Sequence, residues 1–83
     1  MIQPSRKKRP LTPVDWVAVG RRIRELRGFD LNQQEFAEHV GISQNYLSNV
    51  ERGRAEVGAE ILFRIAREYG KTIEWLLTGE DRN

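Results

Sequence analysis

The segment Ser43-Gln44-Asn45-Tyr46-Leu47-Ser48-Asn49-Val50-Glu51-Arg52 carries two kinds of side chain at helical spacing. Leu47 and Val50 recur three residues apart and form an apolar edge, with Ser43 and Glu51 within about 60° of Leu47 at 100° per residue. Asn45, Asn49 and Arg52 fall on the opposite side, Ser48 lies between, and Gln44 sits in the first turn. An ordinary exposed helix face carries Lys and Glu that pair with one another. This face offers Gln44, Asn45, Ser48 and Asn49 instead, whose side chains both donate and accept hydrogen bonds. Amides so arranged pair in bidentate fashion with the major-groove edge of adenine. The competing reading is a merely solvated polar face, and the elements around the segment decide between the two.

Other chemistries find little support. The chain has no cysteine, which removes disulfides, thiolate metal sites and thiol nucleophiles together. His39 is the single histidine and falls on the outer side of its helix, so no set of ligands for a metal forms around it. Ser43 and Ser48 have no histidine placed to activate them, and no glycine-rich phosphate loop follows a strand. Neither an enzyme nor a cofactor is expected.

The elements that position the amide face are short helices with marked starts and stops. Gln33 to Arg52 reads as two helices joined only by Gly41-Ile42-Ser43. So short a connection forces a sharp turn, for which Gly41 takes positive φ cheaply. Helices joined this way cross steeply, and close crossing asks for a small residue, here Ala37. Phe36, Val40, Ile42, Leu47 and Val50 supply the apolar contacts that lock the pair. Asn32 with Glu35 makes a capping-box pattern before the first of the two helices, and Ser43 caps the second, which Gly53 ends.

Upstream, Thr12 reads as a cap, Pro13 as the first helical residue and Asp15 as the returning acceptor, giving a helix over about 13–27. Its inner face is Trp16, Val19, Ile23 and Leu26, and Gly28 stops it. Downstream, a fourth helix carries Ile61, Leu62, Ile65, Ala66 and Tyr69 between Gly58 and Gly70. A fifth carries Ile73, Leu76 and Leu77 between a Thr72 cap and Gly79. No stretch alternates with period two, so the fold class is all-α: a compact five-helix bundle with a central helix-turn-helix. Residues 12–79 form the domain, 1–11 a flexible basic arm and 80–83 a polar tail.

Charge is unevenly spread over the 83 residues. Residues 1–27 hold eight basic and two acidic side chains, whereas 28–54 and 55–83 are each net acidic by two. A basic end beside a groove-sized helix is the footprint of a polyanion partner. The arm run Arg6-Lys7-Lys8-Arg9 is a candidate for wrapping DNA or adding non-specific attraction. The start of the chain lacks the apolar run of a signal peptide and no segment has the roughly 20 apolar residues of a membrane span, so the expected location is cytoplasmic.

These residues resemble the lambda-repressor-like, or Cro/repressor-type (Xre), helix-turn-helix family. The likeness is carried by Gly20-Arg21-Arg22-Ile23-Arg24-Glu25-Leu26-Arg27, by Leu31-Asn32-Gln33-Gln34-Glu35-Phe36-Ala37, by Gly41 through Gly53, and by Ile73-Glu74-Trp75-Leu76-Leu77. It implies a sequence-specific transcriptional regulator, usually a repressor, that binds double-stranded DNA as a homodimer. It further implies base contacts from Gln44, Asn45, Ser48 and Asn49, phosphate contacts from Gln33, Arg52 and Arg54, and a structural ion pair between Arg27 and Glu51. The connection between the first two helices is one residue shorter here than is usual in the family, and Gly58 stands where a capping serine is common. Trp16, Tyr69 and Trp75 read as packing residues, with Trp75 and Leu77 on the fifth helix as expected dimer contacts. The alternative reading is an antitoxin-type protein, with a toxin as partner, that also represses its own operon.

Overall fold

Short polar side chains that accept a backbone N–H set where the helices of this chain begin. The computed structural model describes residues 12–80. They form α1 (Trp16–Arg27), α2 (Gln33–Val40), α3 (Gln44–Glu51), α4 (Ala59–Tyr69) and α5 (Ile73–Thr78), with no strand among the described residues. The all-α, five-helix architecture is therefore the one the sequence implies. The basic run at 6–9 and the last residues of the tail, from 81 on, lie outside the described residues.

Four of the five starts are capped by a side chain. Asn32 Oδ1 accepts the Glu35 N–H at 2.8 Å while Glu35 Oε1 accepts the Asn32 N–H at 3.0 Å, the reciprocal box that sequence suggests. Ser43 Oγ accepts the Tyr46 N–H at 3.0 Å, and Thr72 Oγ1 accepts the Trp75 N–H at 2.9 Å. Gly58 brings no side chain to the start of α4.

The start of α1 departs from expectation. The helix begins at Trp16 rather than Pro13, and Asp15, not Thr12, is the cap, its Oδ1 accepting the Ala18 N–H at 3.1 Å. An ionised carboxylate caps at least as well as a hydroxyl and also favours the positive end of the helix dipole, so Asp15 prevails. At the other end α3 stops at Glu51, with Arg52 as its cap and Gly53 at φ 75° completing the turn.

The core is one continuous cluster drawn from α1 to α5. Val19, Ile23, Phe36, Leu47, Ile65 and Leu76 are its largest fully buried side chains. Phe36 stacks on Tyr69 with ring centroids 5.7 Å apart, which joins α2 to α4. Val57, in the connection between α3 and α4, is also buried and joins this cluster. Trp16, Leu26, Ile61, Ile73 and Leu77 are half-buried and seal the rim.

Helix α1 packs on α3 and α5, α2 packs on α3 and α4, and α4 packs on α5. Helices α1 and α3 approach closely. A Cβ at Gly20 would collide with the backbone carbonyl of Val50, so the two helices meet backbone to backbone. The sequence reading gave Gly20 no packing role; its signal was a glycine inside an otherwise helical run, which often marks a close approach.

Candidate nucleic-acid interface

The turn that aims α3 is built around Gly41. Its backbone is left-handed, at φ 80° and ψ 34°, a conformation other residues enter at a cost. The Ile42 N–H donates to the Ala37 carbonyl at 2.9 Å and closes the end of α2. Ala37 is buried at this crossing. The Val40 carbonyl, freed by the turn, accepts Arg64 Nη1 at 2.9 Å, so α4 supports the bend from behind.

Leu47 and Val50 fix α3 to the core. Gln44, Asn45 and Arg52 are exposed, and Ser48 and Asn49 are half-buried along the same outer face. None of the four polar side chains, Gln44, Asn45, Ser48 or Asn49, makes a hydrogen bond among the described residues. Their donors and acceptors are available to whatever lies against α3. Tyr46 points the other way, and its hydroxyl donates to the Glu56 carbonyl at 2.8 Å. That bond pins the loop after α3 to its first turn. Sequence reasoning did not find it, because a tyrosine on a helix gives no sign of which loop it reaches.

The flank of α3 carries a polar network. Arg27 Nε and Nη2 donate to the two oxygens of Glu51 at 2.7 and 2.8 Å. Arg27 Nη1 also donates to the Leu31 carbonyl at 3.2 Å, which ties the short connection between α1 and α2 into the pair. Both side chains are largely buried, at 10% and 5% exposure, a setting that penalises any charge left without a partner. Gln33 Nε2 donates to Glu51 Oε1 at 3.0 Å, a bond the sequence reading did not include. Burial by itself pushes the Glu51 carboxyl up. The hydrogen bonds from Arg27 and Gln33 and the charges of Arg27 and Arg24 outweigh it, and the carboxyl is held below the usual range. The same pairing raises the Arg27 guanidinium further. Glu51 is thus a fixed carboxylate that orients Gln33 at the start of α2 and leaves one Gln33 side-chain N–H without a partner among the described residues.

Past the end of α3, Arg54 is held by its backbone N–H on the Asn49 carbonyl at 2.8 Å, and its side chain is exposed. Arg52 and Arg54 make no hydrogen bond or ion pair through their side chains among the described residues. His39 meets Glu68 of α4 at 2.8 Å, both half-exposed. No group of three or more His, Cys, Asp or Glu side chains that could hold a metal ion occurs among the described residues. No described helix is long and apolar enough to cross a membrane.

The chain matches the helix-turn-helix family over residues 21–76. It is 37% identical over 62 residues to the propionyl-CoA carboxylase regulator of Cereibacter sphaeroides, covering 74% of this chain and 13% of that protein. It is 38% identical over 65 residues to antitoxin PezA of Streptococcus pneumoniae, covering 77% of this chain and 40% of that protein. The chain therefore spans well under half the length of either relative. Among solved structures, the P22 c2 repressor protein in complex with a synthetic operator superposes with a TM-score of 0.68 at 28% identity, covering 75% of this chain and 96% of that one. By its turn at Gly41, its five helices and these matches, the chain belongs to the helix-turn-helix family.

Proposed function

We propose that this protein is a DNA-binding transcriptional regulator, a repressor, that lays α3 in the major groove of double-stranded DNA. The observation that carries the reading is the row Gln44, Asn45, Ser48 and Asn49, exposed or half-buried on one face and without a side-chain hydrogen bond among the described residues. Gln44 and Asn45 make the leading base contacts, with Ser48 and Asn49 following one turn later. Gln33, oriented by Glu51 at the end of α3, donates its second side-chain N–H to a phosphate, and Arg52 and Arg54 contact phosphates just past that end. The basic run Arg6-Lys7-Lys8-Arg9 adds attraction to the duplex. Similarity to regulators, including a repressor matched in complex with a synthetic operator, supports the same reading. Chemistry on a substrate has no part in it, and the setting is the cytoplasm.

Two copies bind half-sites about one helical turn apart, with half-buried Trp75 and Leu77 of α5 at the contact between them. Selection of bound duplexes from a random pool tests the reading: one enriched palindromic motif supports it, and no enrichment overturns it. A second reading, an antitoxin that binds a toxin and represses its own operon, is favoured by the similarity to PezA alone. A toxin-like reading frame beside the gene, whose product forms a stable complex with this protein, is the result that selects it.

A further inference from the structure

The arginines of the described region sort into two sets. Arg22 donates to the Leu76 carbonyl, Arg27 to Glu51, Arg64 to the Val40 carbonyl, and Arg67 lies over the Phe63 ring. Arg21, Arg24, Arg52 and Arg54 are exposed and make no hydrogen bond or ion pair among the described residues. Arg52 and Arg54 already have a role in the reading above. Arg24 does not, yet its place in the fold is specific.

Helix α1 runs along the flank of α3. Val17 lies against Gly53, where an added Cβ would come within 2.6 Å of Val17 Cγ2. Gly20 meets the Val50 carbonyl, and Arg27 grips Glu51. Arg24 is one turn after Gly20 and one turn before Arg27, about 40° around the helix from Gly20 at 3.6 residues per turn. It therefore sits on the solvent side of the α1–α3 seam, beside Glu51. The same carboxylate holds Gln33, so Gln33 and Arg24 flank one point. Arg27 neutralises Glu51 through two bonds, and the charge of Arg24 is left over, facing solvent.

We propose that Arg24 is a phosphate-contacting residue that extends the DNA interface from α3 onto α1, binding the backbone phosphodiester next to the one contacted by Gln33. A planar guanidinium with several N–H donors suits phosphate oxygens. With Arg24 and Gln33 on one side of Glu51 and Arg52 and Arg54 just past it, the end of α3 is held to the backbone by a cluster of contacts that keeps the helix in register. The proposal rests on the regulator reading and adds a contact to it.

The test is binding of the selected duplex, and of a scrambled one, by the full chain and its R24Q, R24K and R67Q variants across a range of salt. R24Q is expected to weaken binding to both duplexes by roughly three- to tenfold and to reduce the salt slope by about 0.9. R24K retains most of the affinity. R67Q, which removes the same charge from α4, leaves binding near that of the parent. A panel of duplexes with single methylphosphonates supplies a readout that a loss of folding does not mimic: one neutral linkage weakens the parent and not R24Q. An unchanged salt slope in R24Q, an equal loss in R67Q, or no linkage that distinguishes R24Q from the parent overturns the contact. If the parent selects a motif while R24Q behaves like it, only the Arg24 role falls. If the parent binds no duplex, the regulator reading falls and the contact with it.

Discussion

Gln33 and Glu51 are 18 residues apart in sequence, and the amide of one donates to the carboxylate of the other at 3.0 Å. The bond joins the start of α2 to the end of α3, away from the turn at Gly41. Arg27 reaches the same carboxylate from α1. The helix pair is thus closed at both ends, and α3 is presented as a rigid edge. Pre-organisation of this kind lowers the ordering cost of binding.

Breaking the network at its centre should be expensive. Glu51→Ala strands a largely buried guanidinium, at an expected cost of about 3–5 kcal/mol. Urea unfolding of the variant beside the parent checks this, and a cost under about 1 kcal/mol is the wrong answer for a buried pair.

Acid should weaken the same network. The folded state holds the Glu51 carboxyl below its ordinary value, near 4.3 in an unfolded chain. A lowered folded value means the stabilisation is complete above that pH and is lost as pH falls through the folded value. Glu51→Gln, which has no charge to lose, should therefore differ most from the parent at neutral pH. The gap should close under acid, as followed by thermal melting from pH 7 down to about 2.5.

Gly20→Ala sets two effects against each other. Alanine favours a helix interior by about 1 kcal/mol, but here the methyl collides with the Val50 carbonyl. Backbone cannot yield as a side-chain tip does, so overpacking should win and destabilise by about 1–3 kcal/mol. Urea unfolding gives the sign, and a stabilised variant would mean that α1 and α3 stand farther apart than described.

Local signals carried much of this architecture into the sequence. The Asn32–Glu35 box, the Ser43 and Thr72 caps and the positive-φ glycines 41 and 70 depend on neighbours within a few residues, and each is legible. Where two local signals competed, at Thr12 and Asp15, the stronger acceptor took the cap and α1 began later than the proline suggested. Long-range contacts left weaker marks. The Gln33 bond to Glu51, the Tyr46 bond to Glu56 and the approach of Gly20 to Val50 all depend on how helices cross. Helical phase separates Leu47 from Asn45 but does not reveal which partner lies over each face.

Phosphate contacts and base contacts should separate in solution. Arg54→Ala is expected to weaken binding to all duplexes alike and to lower the salt slope by about one, with the order of preferred sequences unchanged. Fluorescence titrations over a salt series on matched and mismatched duplexes measure both. A change in which sequence is preferred would move Arg54 from the backbone to the bases.

In the proposed complex the amides on the outer face of α3 read base pairs. Selection from a random duplex pool with the Asn45→Ala, Asn49→Ala double variant, run beside the parent, tests it most directly. The double variant is expected to bind DNA still but to lose preference at particular positions, by about 1–3 kcal/mol for each lost base pairing. Enrichment of the same motif to the same degree by both proteins would contradict it.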